Sequence, residues 1–343
     1  MTSSALPPPP PGRGAAGPPP RVVVLDADPP ARLDRIAGRV EVVRADAASL
    51  PGLLPGADAL LVWDFLSDAV RDAWPPPGSR PGWVHTASAG VDRLLFPGLV
   101  GSDTVLTNAR GVFDQPIAEY VAGLVLAMAK DLLGTWELQR ERRWRHRETV
   151  KVAGGRAVVV GSGPIGRRIA AVLSALGMDV VLVGRRARDG VRAADELHGL
   201  LGGADWVICA APLTAGTTGM FDAAAFAAMR PGAAFINVGR GGHVVEDDLA
   251  AALAAGRPAR AALDVFATEP LPPDSALWSA PGLFVSPHMS GDTVGWRDDL
   301  AEQFQDNAER WLAGEPLFNV VDKRLGYVPA DAPAAPPPDG RKD

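Results

Sequence analysis

The chain reads as an α/β protein built on doubly wound parallel sheets, and three observations carry that reading. Six short apolar runs follow one another after residue 156, mostly separated by stretches of helix length. These runs are nearly continuously apolar, as strands covered on both faces are. Three further runs before residue 93 form a smaller α/β unit of their own. With 343 residues, 47% of them hydrophobic, the chain has material for two packed cores.

In chain order, residues 1–20 (MTSSALPPPPPGRGAAGPPP) have no apolar stretch of the kind a secretory leader needs, and read as a disordered proline-rich tail. Residues 21–28 (RVVVLDAD), 57–65 (ADALLVWDF) and 83–92 (WVHTASAGVD) read as strands, with helical stretches between them. Residues 117–146 read as helical. Their apolar part, 117–130, contains Glu119 and is too short to span a bilayer. Strands then follow at RAVVVGSG, DVVLVGRR, DWVICAAPLT, GAAFINVGRG, ARAALDVF and GLFVSPH. The last helix, WRDDLAEQFQDNAERWLAGE, stops at Gly314. It is expected to return to the first unit, which makes the second an insertion. The expected domains are therefore 21–115 with 297–328, and 116–296. Residues 329–343 (PADAPAAPPPDGRKD) read as a second disordered tail.

A net charge of −6 with mixed signs leaves no basic footprint for nucleic acid, and the Arg-rich residues 140–147 are a local cluster. The single cysteine, Cys209, excludes an internal disulfide and fits a reducing compartment, so a cytoplasmic location is expected. No metal site is expected, because no Cys/His spacing or His-Glu-x-x-His motif is present.

Gly161, Gly163 and Gly166 stand in G-x-G-x-x-G spacing between an apolar strand and a helix start, the context in which that spacing binds a dinucleotide. The first glycine permits the tight turn, the second the approach of a pyrophosphate, the third close packing of helix on strand. The next strand ends with Gly184 where an NAD-binding chain usually has an acidic residue. Arg185, Arg186 and Arg188 follow. Without a carboxylate to repel it, a 2′-phosphate can be gripped by guanidinium groups, so NADP(H) is favoured over NAD(H). The remaining strands end at Pro212–Thr214, Asn237–Arg240, Asp264 with Glu269 beyond it, and His288. Right-handed crossovers put all these ends on one edge. Singly, Arg240 reads as a surface cation, Glu269 as a loop carboxylate and His288 as a loop residue. Behind a glycine loop they read together as catalytic. The histidine supplies a proton, the carboxylate fixes its tautomer, and the arginine holds the carboxylate of a 2-oxo acid.

The segments VVGSGPIG, AAPLT, INVGRGG, LDVFATEP and SPHMSG, in this order, resemble those of the D-isomer-specific 2-hydroxyacid dehydrogenases, over residues 21–322 or so. The resemblance implies two Rossmann-like or flavodoxin-like domains, with the dinucleotide domain inserted in the substrate domain. It implies Arg240, Glu269 and His288 as the catalytic set. Cofactor contacts are implied at Pro164, Ile165, Pro212, Thr217, Val238, Gly239, Asp264 and His288, with Asp264 on the nicotinamide amide. The backbone N–H groups of Ala89 and Gly90 are implied to bind the substrate carboxylate. A homodimer is implied, formed through the helices after residue 116. The Gly184–Arg186 sequence departs from the family's NAD-preferring members, and Glu269, where formate dehydrogenases have Gln, argues against that activity.

The implied substrate is a 2-oxo acid, of the glyoxylate, hydroxypyruvate, alkyl or aryl class, reduced to the D-2-hydroxy acid. Phe65 and Leu66 read either as an apolar wall over it or as residues packed beneath their loop, and Trp63 has the same two readings. No dedicated cluster of basic residues for a substrate phosphate is seen, Arg110 being the one candidate. His85 reads as structural, and His146, His198 and His243 carry no role. Two alternatives use the same residues: a nucleotide-sensing, corepressor-like protein of this fold, and a phosphonate dehydrogenase.

Overall fold

The computed structural model describes residues 18–26 and 32–336. The chain divides into two compact units, residues 1–112 with 293–343, and residues 113–292. The divisions fall three and four residues before the expected boundaries at 115/116 and 296/297.

The first unit carries a five-stranded parallel sheet. Its strands are β1 (Arg21–Leu25), β2 (Glu41–Ala45), β3 (Ala59–Val62), β4 (Trp83–Thr86) and β5 (Val105–Asn108), in the order β2-β1-β3-β4-β5. Two of them, β2 and β5, were not expected. In β2 most side chains face solvent, so it lacks the apolar run that marks a buried strand. β5 is fully buried, but only Val105 and Leu106 are apolar before Thr107 and Asn108, so it makes no apolar run. The helix Trp296–Ala313 packs on this sheet through Phe304, whose ring stacks on Trp83 at 5.2 Å. Its far face binds Arg35 through Asp306 (2.6 Å) and Glu309 (2.5 Å). Gly314, at φ 68°, ends it in the left-handed conformation that favours glycine.

The expected tail at 329–343 is corrected for its first part. Residues 329–336 are tied to the first unit: Arg110 donates to the Pro329 carbonyl (3.0 Å) and the Asn319 N–H to that of Pro333 (2.9 Å). Residues 337–343 and 1–17 lie outside the described residues.

The second unit holds seven parallel strands in the order β12-β11-β10-β9-β6-β7-β8. They are β6 (Arg156–Val160), β7 (Asp179–Gly184), β8 (Val191–Ala193), β9 (Trp206–Cys209), β10 (Ala234–Asn237), β11 (Arg260–Leu263) and β12 (Leu283–Val285). The unexpected strand is β8, three residues at the edge. The chain runs outward from β6 to β8, then returns to β9 beside β6 and runs outward the other way. The switch point therefore lies between β6 and β9, where such sheets bind ligands at their carboxyl edge. Phe221, Phe226 and Phe235 meet in the core beneath. The expected helix 117–146 is two helices, Asp114–Ala129 and Leu132–Arg140, broken at Asp131 with φ 47°. No helix among the described residues is long and apolar enough to cross a membrane.

Candidate active site

The carboxyl ends of β6, β9, β10, β11 and β12 share one edge of the second sheet, because all five strands are parallel and adjacent in register. Each delivers one part of the site.

After β12 the backbone turns sharply at His288, whose φ of 52° is a left-handed conformation costing a non-glycine residue about 1–3 kcal/mol. The turn is held from beneath by Asp264, which is buried at the end of β11. Its Oδ1 accepts the Ser286 hydroxyl (2.7 Å) and the Met289 N–H (3.0 Å), and its Oδ2 the Ser290 N–H (2.9 Å). The His288 N–H donates to the Asp264 carbonyl (2.8 Å). Burial raises the pKa of Tyr120; its hydrogen bond to Ser286 opposes that and the Asp264 charge adds to it.

The imidazole that this turn projects meets Glu269. Nδ1 of His288 lies 2.7 Å from Glu269 Oε2, while Oε1 accepts the Phe266 N–H (2.8 Å). Both carboxylate oxygens are thus committed. Burial alone would raise the Glu269 pKa. The His288 and Phe266 hydrogen bonds, with the charges of His288 and Arg240, outweigh it and hold the carboxyl below its ordinary value. Glu269 is therefore the acceptor, Nδ1 carries the proton, and Nε2 is left to exchange one with a ligand.

Arg240 stands after β10, where Asn237 shapes the turn by donating to the Arg240 carbonyl (2.9 Å) and accepting from the Gly239 N–H (3.1 Å). The Arg240 N–H donates to His243 Nδ1 (3.1 Å). A Cβ at Gly241 would overlap the Phe266 backbone, so the loops after β10 and β11 pack in direct contact. Val238 is buried beside them. After β9, the Thr217 hydroxyl donates to the Pro212 carbonyl (2.7 Å) and accepts the Thr214 N–H (2.9 Å), closing a tight loop.

The glycine loop after β6 fits a dinucleotide. Gly161, at φ 121°, has no room for a Cβ against Ala210, nor has Gly166 against the Gly161 carbonyl. At Gly163 a Cβ would meet nothing within 4 Å, which is the open space a pyrophosphate needs. Pro164 begins the helix Pro164–Ala175, so the N–H groups of Ile165 and Gly166 precede its first internal bond and face outward. At the end of β7, Arg185 and Arg186 are exposed. Arg188 donates instead to Ser162, at its hydroxyl (2.8 Å) and its carbonyl (3.1 Å). A Cβ at Gly184 would fall on that same Ser162 hydroxyl.

In the first unit, the loop after β4 carries Ala89 and Gly90, and neither N–H has an acceptor among the described residues. Leu66 is 47% exposed, so it does not pack beneath its loop; Phe65 is half-buried and Trp63 buried. His85 is fully buried, with Nδ1 2.8 Å from the Thr107 hydroxyl, and burial lowers its pKa to about 3. Arg110 bonds the Pro329 carbonyl. No group of three metal-binding side chains is found among the described residues.

Sequence reasoning gave no role to Ser162, Ser286 or Tyr120 and named Asn237 only as the end of its strand. They act through isolated polar contacts that leave no periodic trace, although Ser162, Ser286 and Asn237 lie inside the segments VVGSGPIG, SPHMSG and INVGRGG.

Residues 122–290 match the sequence profile of the D-isomer specific 2-hydroxyacid dehydrogenase NAD binding domain. A glyoxylate/hydroxypyruvate reductase A from Serratia proteamaculans is 32% identical over 82% of this chain and 95% of its own length. A D-isomer specific 2-hydroxyacid dehydrogenase family protein from Aeromonas salmonicida superposes with a TM-score of 0.76 at 32% identity, covering 89% of this chain and 99% of its own. An NADPH-dependent glyoxylate/hydroxypyruvate reductase from Sinorhizobium meliloti, solved with NADP and sulfate, gives 0.77 at 31% identity, over 90% and 100%.

Proposed function

The chain belongs to the D-isomer specific 2-hydroxyacid dehydrogenases, and from that premise we propose that it reduces a small 2-oxo acid to the D-2-hydroxy acid, with NADP(H) preferred over NAD(H). It is an NAD(P)-dependent oxidoreductase. The observation that carries the reading is the His288–Glu269 pair, 2.7 Å apart, with both carboxylate oxygens engaged.

The bound nicotinamide supplies the hydride. The protein supplies the rest. Glu269 holds the Nδ1 proton of His288, so that Nε2 presents its own proton to the carbonyl oxygen of the substrate. Arg240 holds the substrate's carboxylate and polarises its carbonyl, a use suited to a planar, always-charged fork. Asp264 keeps the His288 turn in place and its Oδ2, with one N–H bound, retains acceptor capacity for the nicotinamide amide. Ile165 and Gly166 offer N–H groups to the pyrophosphate, beside Gly161 and Gly163. Pro212, Thr217, Val238 and Gly239 shape the wall of the nicotinamide site. Arg185 and Arg186 face the 2′-phosphate. In the first unit Ala89 and Gly90 receive the substrate carboxylate, and exposed Leu66, with Phe65, suits an alkyl or aryl side chain.

In this reading the second unit, which contains the match to the NAD binding domain, binds the dinucleotide and the first unit binds the substrate. Leu132, Leu133, Trp136, Trp144 and Val150, all exposed, support a homodimer through the segment after the first helix of the second unit. Sedimentation that finds only monomer would remove that part. A cytoplasmic location belongs to the same reading, since Cys209 is the only cysteine in the sequence and it is buried and free.

The test is loss of nicotinamide absorbance with NADPH and then NADH, offered with glyoxylate, hydroxypyruvate, pyruvate, branched 2-oxo acids and phenylpyruvate. The His288→Ala chain is expected to lose at least about 100-fold in kcat while still binding NADPH. Full activity in that variant would refute the assignment.

A further inference from the structure

The loop that follows β4 in the first unit has three successive carbonyls, each held by a donor. The Ser88 carbonyl accepts the Ala109 N–H (2.9 Å) and that of Ala89 accepts Nδ2 of Asn108 (2.6 Å). The Gly90 carbonyl accepts the Ser88 hydroxyl (2.6 Å). In a trans peptide the C=O and the following N–H point in opposite directions. Fixing these carbonyls therefore turns the N–H groups of Ala89, Gly90 and Val91 the other way. None of the three donates to any described residue. The three N–H groups are thus donors with no acceptor among the described residues, available to an anionic ligand.

Asn108 stands at the centre of this arrangement. It is buried, and its Oδ1 accepts the Arg110 N–H (3.3 Å), which settles that Nδ2 is the atom facing Ala89. Its own backbone is clamped by Asn319, which accepts from the Asn108 N–H (3.3 Å) and donates through Nδ2 to the Asn108 carbonyl (3.3 Å). Asn319 in turn is fixed by the C-terminal segment, through the Pro333 carbonyl (2.9 Å) and the Ala335 N–H (3.3 Å).

We propose that Asn108 is the positioning residue of the substrate-carboxylate loop: by holding the Ala89 carbonyl it aims the Gly90 N–H at the carboxylate of the 2-oxo acid. The inference rests on the reading that this loop receives that carboxylate. Asn108 touches no reacting atom, so its loss weakens substrate binding and leaves the chemical step alone. The C-terminal segment braces it from behind.

The test uses the full chain with NADPH and two acids, glyoxylate, which is little more than carboxylate and carbonyl, and phenylpyruvate. Asn108→Ala is expected to raise KM for both acids by about tenfold, the weight of a hydrogen bond to a charged group. Its kcat should stay within about threefold of wild type, with KM for NADPH unchanged. Asn108→Asp keeps the shape but sets oxygen against oxygen at Ala89. Its KM, relative to wild type at each pH, should fall as the solution is acidified and the aspartic acid regains a proton to donate. A variant that only loosens the fold would lower thermal stability without that pH-dependent recovery. If Asn108→Ala fails to fold, the isosteric Asn108→Asp carries the test through its pH profile. A wild-type KM in a folded Asn108→Ala, or a flat KM ratio for Asn108→Asp, would overturn the inference alone. A wild-type chain that reduces none of the acids overturns the reading beneath it.

Discussion

Replacing Glu269 with glutamine separates geometry from charge at the proposed proton donor. Glutamine keeps the shape. Its Oε1 can still accept the Phe266 N–H, but its amide then points two hydrogens at the Nδ1 of His288, where a proton already sits in the imidazolium. The protonated ring loses a charge-assisted acceptor at 2.7 Å. Such a bond contributes about 1.5–3 kcal/mol. The two side chains are 27% and 21% exposed, so solvent screening favours the lower end, about 1.5 kcal/mol. At about 1.4 kcal/mol per factor of ten, kcat for reduction should fall about tenfold in Glu269→Gln, with KM for NADPH unchanged. Glu269 is held below its ordinary value, so in wild type the pair persists until the pH falls beneath the usual carboxylate range. The assay is NADPH-linked glyoxylate reduction from pH 5 to 9 at constant ionic strength. A wild-type kcat in a folded Glu269→Gln chain would show that this bond does not govern proton donation.

Cofactor choice offers a second test. Gly184→Asp alone should lose NADPH activity without gaining NADH activity, because its Cβ lands on the Ser162 hydroxyl that Arg188 holds. Adding Ser162→Gly clears that space, and the double variant should reverse the kcat/KM preference by about tenfold or more, which steady-state kinetics with both cofactors would show. A single variant that switches cleanly would refute the steric argument. His85 predicts acid sensitivity. Its pKa is about 3 in the fold and near the ordinary 6.5 when unfolded, so the unfolded chain takes the proton first and stability is lost as pH falls from about 6.5 towards 3. Between pH 7.5 and 5 the loss is about 2 kcal/mol, from about 1.5 units at about 1.4 kcal/mol each. Urea midpoints at the two pH values should show it in wild type, and His85→Asn should show a smaller loss. Equal losses in both would place the acid sensitivity elsewhere.

What could be read from residues alone follows a physical rule. Strands buried on both faces, such as β6 and β9, announce themselves as apolar runs, and their carboxyl ends are where charged residues have a reason to appear. Hence His288, Glu269 and Arg240 stood out against their surroundings. β2 is an edge strand with solvent-facing side chains, and β8 is three residues long; neither has enough buried surface to impose a pattern. The supporting contacts were invisible for a different reason. Ser162, Ser286 and Asn108 each act by a hydrogen bond to a partner distant in sequence or to backbone, and a serine or asparagine so used looks like any loop residue. The C-terminal segment shows where composition misleads. Proline surrenders its N–H but keeps its carbonyl, so a proline-rich stretch can still be ordered as an acceptor. Here Arg110 and Asn319 supply the donors, and both bond at the level of Asn108. A segment that composition assigns to solvent thus closes the hydrogen-bond chain that ends on the Ala89 carbonyl. Selection on such a segment would act through backbone acceptors, which tolerate almost any side chain, and for that reason its order leaves so little mark on the sequence.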